Sequence, residues 1–295
     1  MSAYSIWIVE YAHVPTQAKG SVLSLQFNAG ILELAFTYSA LEGNGHKILV
    51  DTGLDLRNPI SAALAKRDGV VDWQPPEQLL CKLGWRPEDV DTVIYTHAHY
   101  DHMENMRYFP NARFYLQRRE LMGWLWSIGL EKKYQSINMA LNPQDIHEAV
   151  ELVAQGRMIL LDGVVENLLP GISIYPAYDG HSYASQIVFV AGENGKNIVM
   201  AGDLAYVKEN FVGLDGESGY IPPGMGCGTT YNMMRTLDEL LQLAEGKLEN
   251  VLIGHSAENW VQYPSWKGQD TLHIAEIALA EGQQSKQPQT TSINE

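Results

Sequence analysis

Four short apolar runs in this 295-residue chain each end in a side chain that can bind a metal ion. They are Ile48-Leu49-Val50 before Asp51, Val93-Ile94-Tyr95-Thr96 before His97, Ile198-Val199-Met200-Ala201-Gly202 before Asp203, and Val251-Leu252-Ile253-Gly254 before His255. Runs of this length, rich in β-branched residues, suit strands buried on both faces. Polar groups at their ends then gather along one edge of a sheet, the edge on which α/β architectures place their chemistry.

The segment from Thr96 to His102 narrows that chemistry. It holds His97, His99, Asp101 and His102 within six residues. Imidazole nitrogens and carboxylate oxygens bind zinc at roughly 2.0–2.2 Å, and no fold gains packing energy by crowding such groups without a cation. In an extended segment His97 and His99 point to the same side and can reach one ion. Asp101 and His102, just past the turn, are displaced toward a second. Such a dinuclear arrangement needs further ligands. His181 is a candidate, since it follows the strand-like Ile172-Ser173-Ile174-Tyr175, and Gly180 before it lets the backbone turn tightly.

Taken in order, His97, His99, Asp101 and His102, then His181, Asp203 and His255, resemble the motifs of the metallo-β-lactamase superfamily, with Asp51 matching its first motif. The resemblance runs over about residues 5 to 280. It implies an α/β fold, the αβ/βα four-layer sandwich, and two zinc ions per chain. One zinc would be held by His97, His99 and His181, the other by Asp101, His102 and His255, with the Asp203 carboxylate as the bridge. Asp51 either caps the turn Asp51-Thr52-Gly53 or orients a ligand from behind; the second reading is the one adopted. The stretch Asp203 to Phe211 is further similar to the segment after the bridging aspartate in N-acyl homoserine lactone lactonases, where a tyrosine three residues on contacts the substrate carbonyl. Tyr206 has that spacing.

The activity so implied is opening of a lactone to a hydroxy acid by a zinc-bridging hydroxide. Zinc and the Tyr206 hydroxyl would stabilise the oxyanion, and Asp101 would pass a proton to the departing alkoxide. A thioesterase of the glyoxalase II kind and an amide hydrolase are the alternatives within the superfamily. A non-catalytic, metal-dependent metabolite sensor is the alternative outside enzymes. A β-lactamase proper fits less well, because of the bridging Asp203 and the absence of an export signal.

Charge and missing motifs support the same direction. With 20 basic and 35 acidic side chains the formal charge is −15, which repels nucleic acid and anionic membrane and argues against the nuclease branch of the superfamily. Met1 to Trp7 lacks a basic leader with an apolar core, and no stretch nears the ~18 apolar residues of a membrane span. A cytoplasmic protein acting on a small molecule is expected. Cys81 and Cys227 match no zinc spacing and are expected to be reduced and structural. There is no GxSxG elbow, Gly192 to Asn197 lacks the phosphate-loop spacing, and Gly224 to Gly228 is not a dinucleotide fingerprint.

No repeat or linker divides the chain, so a single domain over 1–281 is expected. Glu42-Gly43-Asn44-Gly45 signals a hairpin. Helices are expected near 76–84, within 118–154, over 231–243 and over 270–280. The 118–154 material is an insertion between motifs, and its Trp124 and Trp126 suit a lid, a homodimer surface or core. Gly213 to Gly228 reads as a long loop bordering the substrate. From 282 to 295 a Gln/Ser/Thr-rich tail is expected to be disordered. His13, His46, His147 and His273 lie outside every motif and read as structural.

Overall fold

The computed structural model describes residues 3–192, 196–217, 219–268 and 271–288. The first strand, β1 (Ser5–Ala18), pairs antiparallel with β2 (Ile31–Gly43), placing Ile8 opposite Ser39. Asn44 and Gly45, both left-handed at φ 52° and 81°, turn β2 into β3 (His46–Val50), the two-residue turn whose twist matches the flanking strands. Beyond β3 the pairing becomes parallel, through β4 (Thr92–Ile94), β5 (Arg113–Gln117) and β6 (Met158–Leu161). Parallel neighbours need crossovers, and helices supply them. Pro59–Asp68 and Pro76–Leu80 lie between β3 and β4, and Arg118–Ile128 and Pro143–Ala154 lie between β5 and β6.

A second sheet carries the later motifs. It is built from β7 (Val165–Leu169), β8 (Ile172–Tyr178), β9 (Ala184–Val190), β10 (Ile198–Met200) and β11 (Val251–Leu252), in the order β11-β10-β9-β8-β7. The chain then returns to the first sheet as β12 (Ser265–Lys267) and β13 (His273–Ala278), giving the eight-stranded order β12-β13-β1-β2-β3-β4-β5-β6 among the described residues.

The period-two alternation of β1 shows how the layers form. Ile6 and Ile8 face the other sheet and pack with Ile174, Val188 and Met200, while Trp7 and Val9 face outward beneath Leu79, Trp124 and Ile146 of the helices. On the second sheet, Ile187 and Val199 turn outward against Leu237 and Leu240 of the helix Thr230–Leu243. Helix, sheet, sheet, helix is the αβ/βα sandwich, with its central core between the sheets. The expected single edge is in fact shared: Asp51 and His97 follow strands of one sheet, Asp203 and His255 follow strands of the other.

Two segments differ from expectation. Of the helix expected over 270–280, Asp270 lies outside the described residues and His273–Ala278 is β13, antiparallel to β1 with Ile274 opposite Val9. Ile274 and Ala275 are buried in the cores on the two sides of the sheet, and Glu276 accepts a hydrogen bond from Trp7 Nε1 at 3.3 Å. An Ala- and Ile-rich segment has modest helical preference, and the ladder offered by the edge of β1 overrides it. Of the expected tail, the part to Pro288 is described. Lys286 Nζ bonds to Glu42 at 2.9 Å and to the Leu83 carbonyl at 2.7 Å, and lies over the Trp7 ring; residues 289–295 lie outside the described residues. Cys81 and Cys227 are free, as expected, but both are exposed rather than packed into the core.

Candidate metal centre

The loops that leave β3, β4, β8, β10 and β11 bring the polar residues together. His97, His99, His181 and Asp203 form one group, and Asp101, His102, Asp203 and His255 a second, with the ligand atoms of each within 4.8 Å of one another. All seven residues are buried. Asp203 belongs to both groups. Its Oδ1 lies 3.0 Å from His102 Nε2 and 3.0 Å from His255 Nε2, while its Oδ2 is 3.5 Å from His181 Nε2 and 3.8 Å from His97 Nε2.

The partners behind the rings decide which nitrogens face inward. Thr96 Oγ1 donates to Asp51 Oδ2 (2.8 Å) and accepts from His97 Nδ1 (3.0 Å), leaving His97 Nε2 enclosed without a partner. His102 Nδ1 donates to Asp51 Oδ2 (2.8 Å), and His255 Nδ1 to the Ala35 carbonyl (2.5 Å). These bonds occupy Nδ1, so His102 and His255 turn Nε2 toward each other across 3.3 Å, the atom that ligates when the ring is neutral. His99 Nδ1 and His181 Nε2 approach to 3.1 Å, although His181 Nδ1 has no partner behind it. Two nitrogens on a tetrahedral zinc, each about 2.0–2.1 Å from it, stand roughly 3.3 Å apart. The donor set therefore fits two cations sharing the Asp203 carboxylate. Asp51 does not enter either group; it orients His102 and, with Thr96, the turn into His97.

Electrostatics agree with that division. Burial, reinforced by the neighbouring imidazoles, drives His97 and His99 well below the usual histidine range, and burial carries His181 down to about 4. These three are neutral, the form that ligates. Burial opposes charge on His102 and His255 as well, but Asp203 and Asp101 outweigh it and raise both.

Glu120, which no sequence pattern marks, underlies the first group. It is fully buried on the helix Arg118–Ile128, and its carboxylate accepts from Ala98 N (3.0 Å), Trp124 Nε1 (2.7 Å), Ser182 Oγ (2.8 Å) and Ala184 N (2.6 Å). One side chain thus ties the His97–His99 strand end to the segment after His181. Of the two aromatics for which lid, interface and core were all open, Trp124 is in the core, with its ring 5.4 Å from that of His99, and Trp126 is 61% exposed.

Tyr206 lines the cavity over the cluster, but its hydroxyl is already engaged there. It is buried beside the cluster, and its hydroxyl donates to Asp203 Oδ2 at 2.7 Å. Burial and the facing Asp203 keep that hydroxyl protonated. Over the cluster lies a cavity of about 320 Å³ whose floor includes His99, Asp101, Asp203 and His255 and whose walls include Val14, Leu34, Phe36 and Met225. Met225 comes from the Gly213–Gly228 loop, which borders the site as expected. A larger hollow of about 900 Å³ surrounds the Gly43–His46 turn and Asp91 and contains none of the clustered residues.

Comparison with known proteins places this architecture. The metallo-beta-lactamase superfamily model matches residues 37–255, so the chain belongs to that superfamily. N-acyl homoserine lactonase AiiB of Agrobacterium fabrum is 24% identical over 198 residues, 65% of this chain and 66% of that protein. AiiA of Bacillus thuringiensis subsp. kurstaki is 25% identical over 195 residues, 61% of this chain and 68% of that protein. The chain thus spans about two thirds of the length of these relatives. Among solved structures, an N-acyl homoserine lactone hydrolase carrying N-hexanoyl-L-homoserine at its catalytic metal centre superposes with TM-score 0.64 at 21% identity, covering 88% of this chain and 95% of that one. The dizinc quorum-quenching lactonase AidC superposes with TM-score 0.63 at 15% identity, covering 92% and 94%. At such identities the likeness is one of fold.

Proposed function

We propose that this member of the metallo-beta-lactamase superfamily is a zinc-dependent lactonase that opens a small, largely apolar cyclic ester to its hydroxy acid. The observation that carries the reading is the pair of His/Asp groups sharing Asp203 at the floor of a cavity of about 320 Å³ whose wall sets Val14, Leu34 and Phe36 beside the paired Arg67 and Asp68. Two divalent cations, when bound by His97, His99, His181, Asp101, His102 and His255 with Asp203 between them, supply a Lewis acid and an activated water.

The chain's own residues account for the remaining steps. Water adds to the carbonyl carbon, the ring C–O bond breaks, and the ring oxygen leaves with the electron pair and takes a proton. Asp101, on the cavity floor and the more open of the carboxylates, is the group we assign to that proton. Tyr206 is assigned to the carbonyl oxygen: its hydroxyl, on Asp203 Oδ2 in the resting chain, turns to the substrate as negative charge develops there. Val14, Leu34 and Phe36 shed water from the ring. Arg67 on the wall is held by Asp68 through Nε–Oδ1 (2.6 Å) and Nη2–Oδ2 (2.8 Å), so its charge is already matched. That favours a neutral substrate, as does the formal charge of −15.

The test is a side-by-side panel of γ- and δ-lactones, a glutathione thioester, an anilide and a phosphodiester, read by acid release or chromophore, with metal analysis of the same preparation. Two metal ions per chain and the highest kcat/KM on a lactone are expected. A thioester or phosphodiester at the top of the panel would overturn the lactonase reading, and one metal or none in active protein would overturn the dinuclear one.

A further inference from the structure

The cavity above the cluster is not the end of the cleft. A second chamber of about 340 Å³ lies beside it, and both are bounded by His99, Met139, Ala140 and Met225. The second runs on to Ser136, Ile137 and Cys227. Met225 and Met139 therefore stand where the two volumes meet.

The backbone at Met225 makes its side chain conspicuous. Its φ is 58°, in the left-handed region that glycine enters freely and a residue with a Cβ does not. On either side the chain is pressed flat: a Cβ on Gly224 would sit 1.7 Å from the Ser21 carbonyl oxygen, and one on Gly226 would sit 2.5 Å from the His181 carbonyl oxygen. Glycine would suit the middle position too. Packing does not repay the strain, because Met225 is 43% exposed and Met139 is 57% exposed. A strained, half-exposed residue at the wall of a site points to use of its side chain. Methionine, unbranched and adaptable, suits a movable partition.

We propose that Met225, with Met139, separates a reaction chamber over the metal centre from a side chamber and so sets the length of the apolar arm that a substrate can carry. The proposal rests on the carbonyl-hydrolase reading above for its substrate, though not for its test. With the partition closed, the ring and a short substituent fill the first chamber. Displacing the methionines gives a longer arm access to the second, and each further methylene buried there is worth about fourfold in affinity or kcat/KM.

The experiment uses the metal-loaded full chain, wild type against Met225→Ala, Met225→Gly and Met139→Ala. Straight-chain alkyl hydroxamates of increasing length, which offer a metal-anchoring head with an apolar arm, are titrated by calorimetry, and γ-lactones with matching 4-alkyl substituents are assayed in parallel. Both Met225 variants should shift the preference toward longer arms, raising the long-to-short ratio tenfold or more. Met225→Gly alone should also melt higher than wild type, since it relieves the left-handed backbone. An arm-length profile that is the same in wild type and in all variants with both metals bound overturns the partition, whatever happens with the lactones. A shifted hydroxamate profile with no lactone opened by any protein sinks the lactonase reading and leaves the partition standing.

Discussion

Three of the five histidines at the centre of this molecule are held by an acceptor behind the ring, on the nitrogen turned away from the cluster. His97 leans on Thr96, His102 on Asp51 and His255 on the Ala35 carbonyl. Tyr206 is the residue whose role that geometry leaves to experiment, because its hydroxyl is bonded to Asp203 Oδ2 at 2.7 Å. If it serves the carbonyl oxygen in the transition state, Tyr206→Phe should lower kcat by roughly 10- to 1000-fold with little change in KM and both metals retained. If it only steadies Asp203, the same variant should lose metal under chelator competition while the loaded enzyme keeps its kcat. Measuring kcat and metal content on one preparation separates the two, and full kcat with two metals would leave Tyr206 as a residue of the pocket wall alone. The clustering of the histidines was legible in the sequence because their close spacing is a local pattern. The Tyr206 hydroxyl bond was not, because it depends on where the segment after β10 packs.

At the scale of elements, the ends of β3, β4, β10 and β11 were legible for a related reason: a β-branched run that stops at an aspartate or histidine records both burial and edge. What the runs could not record was that the edge belongs to two sheets, since pairing partners far apart in sequence leave no local trace. The segment His273–Ala278 was misread as helix on the same account, for its strand state depends on β1, more than 260 residues away. Glu120 is the functional case. In sequence it is one acid in the first turn of an amphipathic helix; in space it joins the ends of β4 and β8 through four donors. Glu120→Gln keeps the size but offers one acceptor oxygen to four donors and turns an NH2 group toward some of them. We expect the variant to fold and to bind one of its two metals about 10- to 100-fold more weakly, the range seen when the group behind a ligand is lost. Competition with a coloured chelator reads each equivalent separately. Two unchanged affinities in folded Glu120→Gln would reduce Glu120 to a packing residue.

For the molecule as a whole, the centre sits where the two sheets meet, so its cations would act as rivets between them as well as reagents. Side chains of the first group come from the ends of β4 and β8, those of the second from the β4 loop and the end of β11, and Asp203 after β10 belongs to both. The inter-sheet core formed by Ile6, Ile8, Ile174 and Val188 does not depend on the metal and should persist without it. Removing the cations leaves His102, His255, Asp101 and Asp203 buried with protons alone to balance them, a weaker arrangement than the loaded one. A single site at a free-metal level of a thousand times its Kd stabilises the native state by about 4.1 kcal/mol. The shift per kcal/mol falls with length and is a little under the ~2 °C of a chain of about 250 residues here, so the chelated protein should melt roughly 6 °C or more below the loaded protein. Its far-UV circular dichroism at 25 °C should be unchanged, and zinc should restore the melting temperature. A chelated protein that melts with the loaded one, after both metals are shown to be gone, would mean that the cluster is held by its hydrogen bonds alone and that the cations contribute only chemistry.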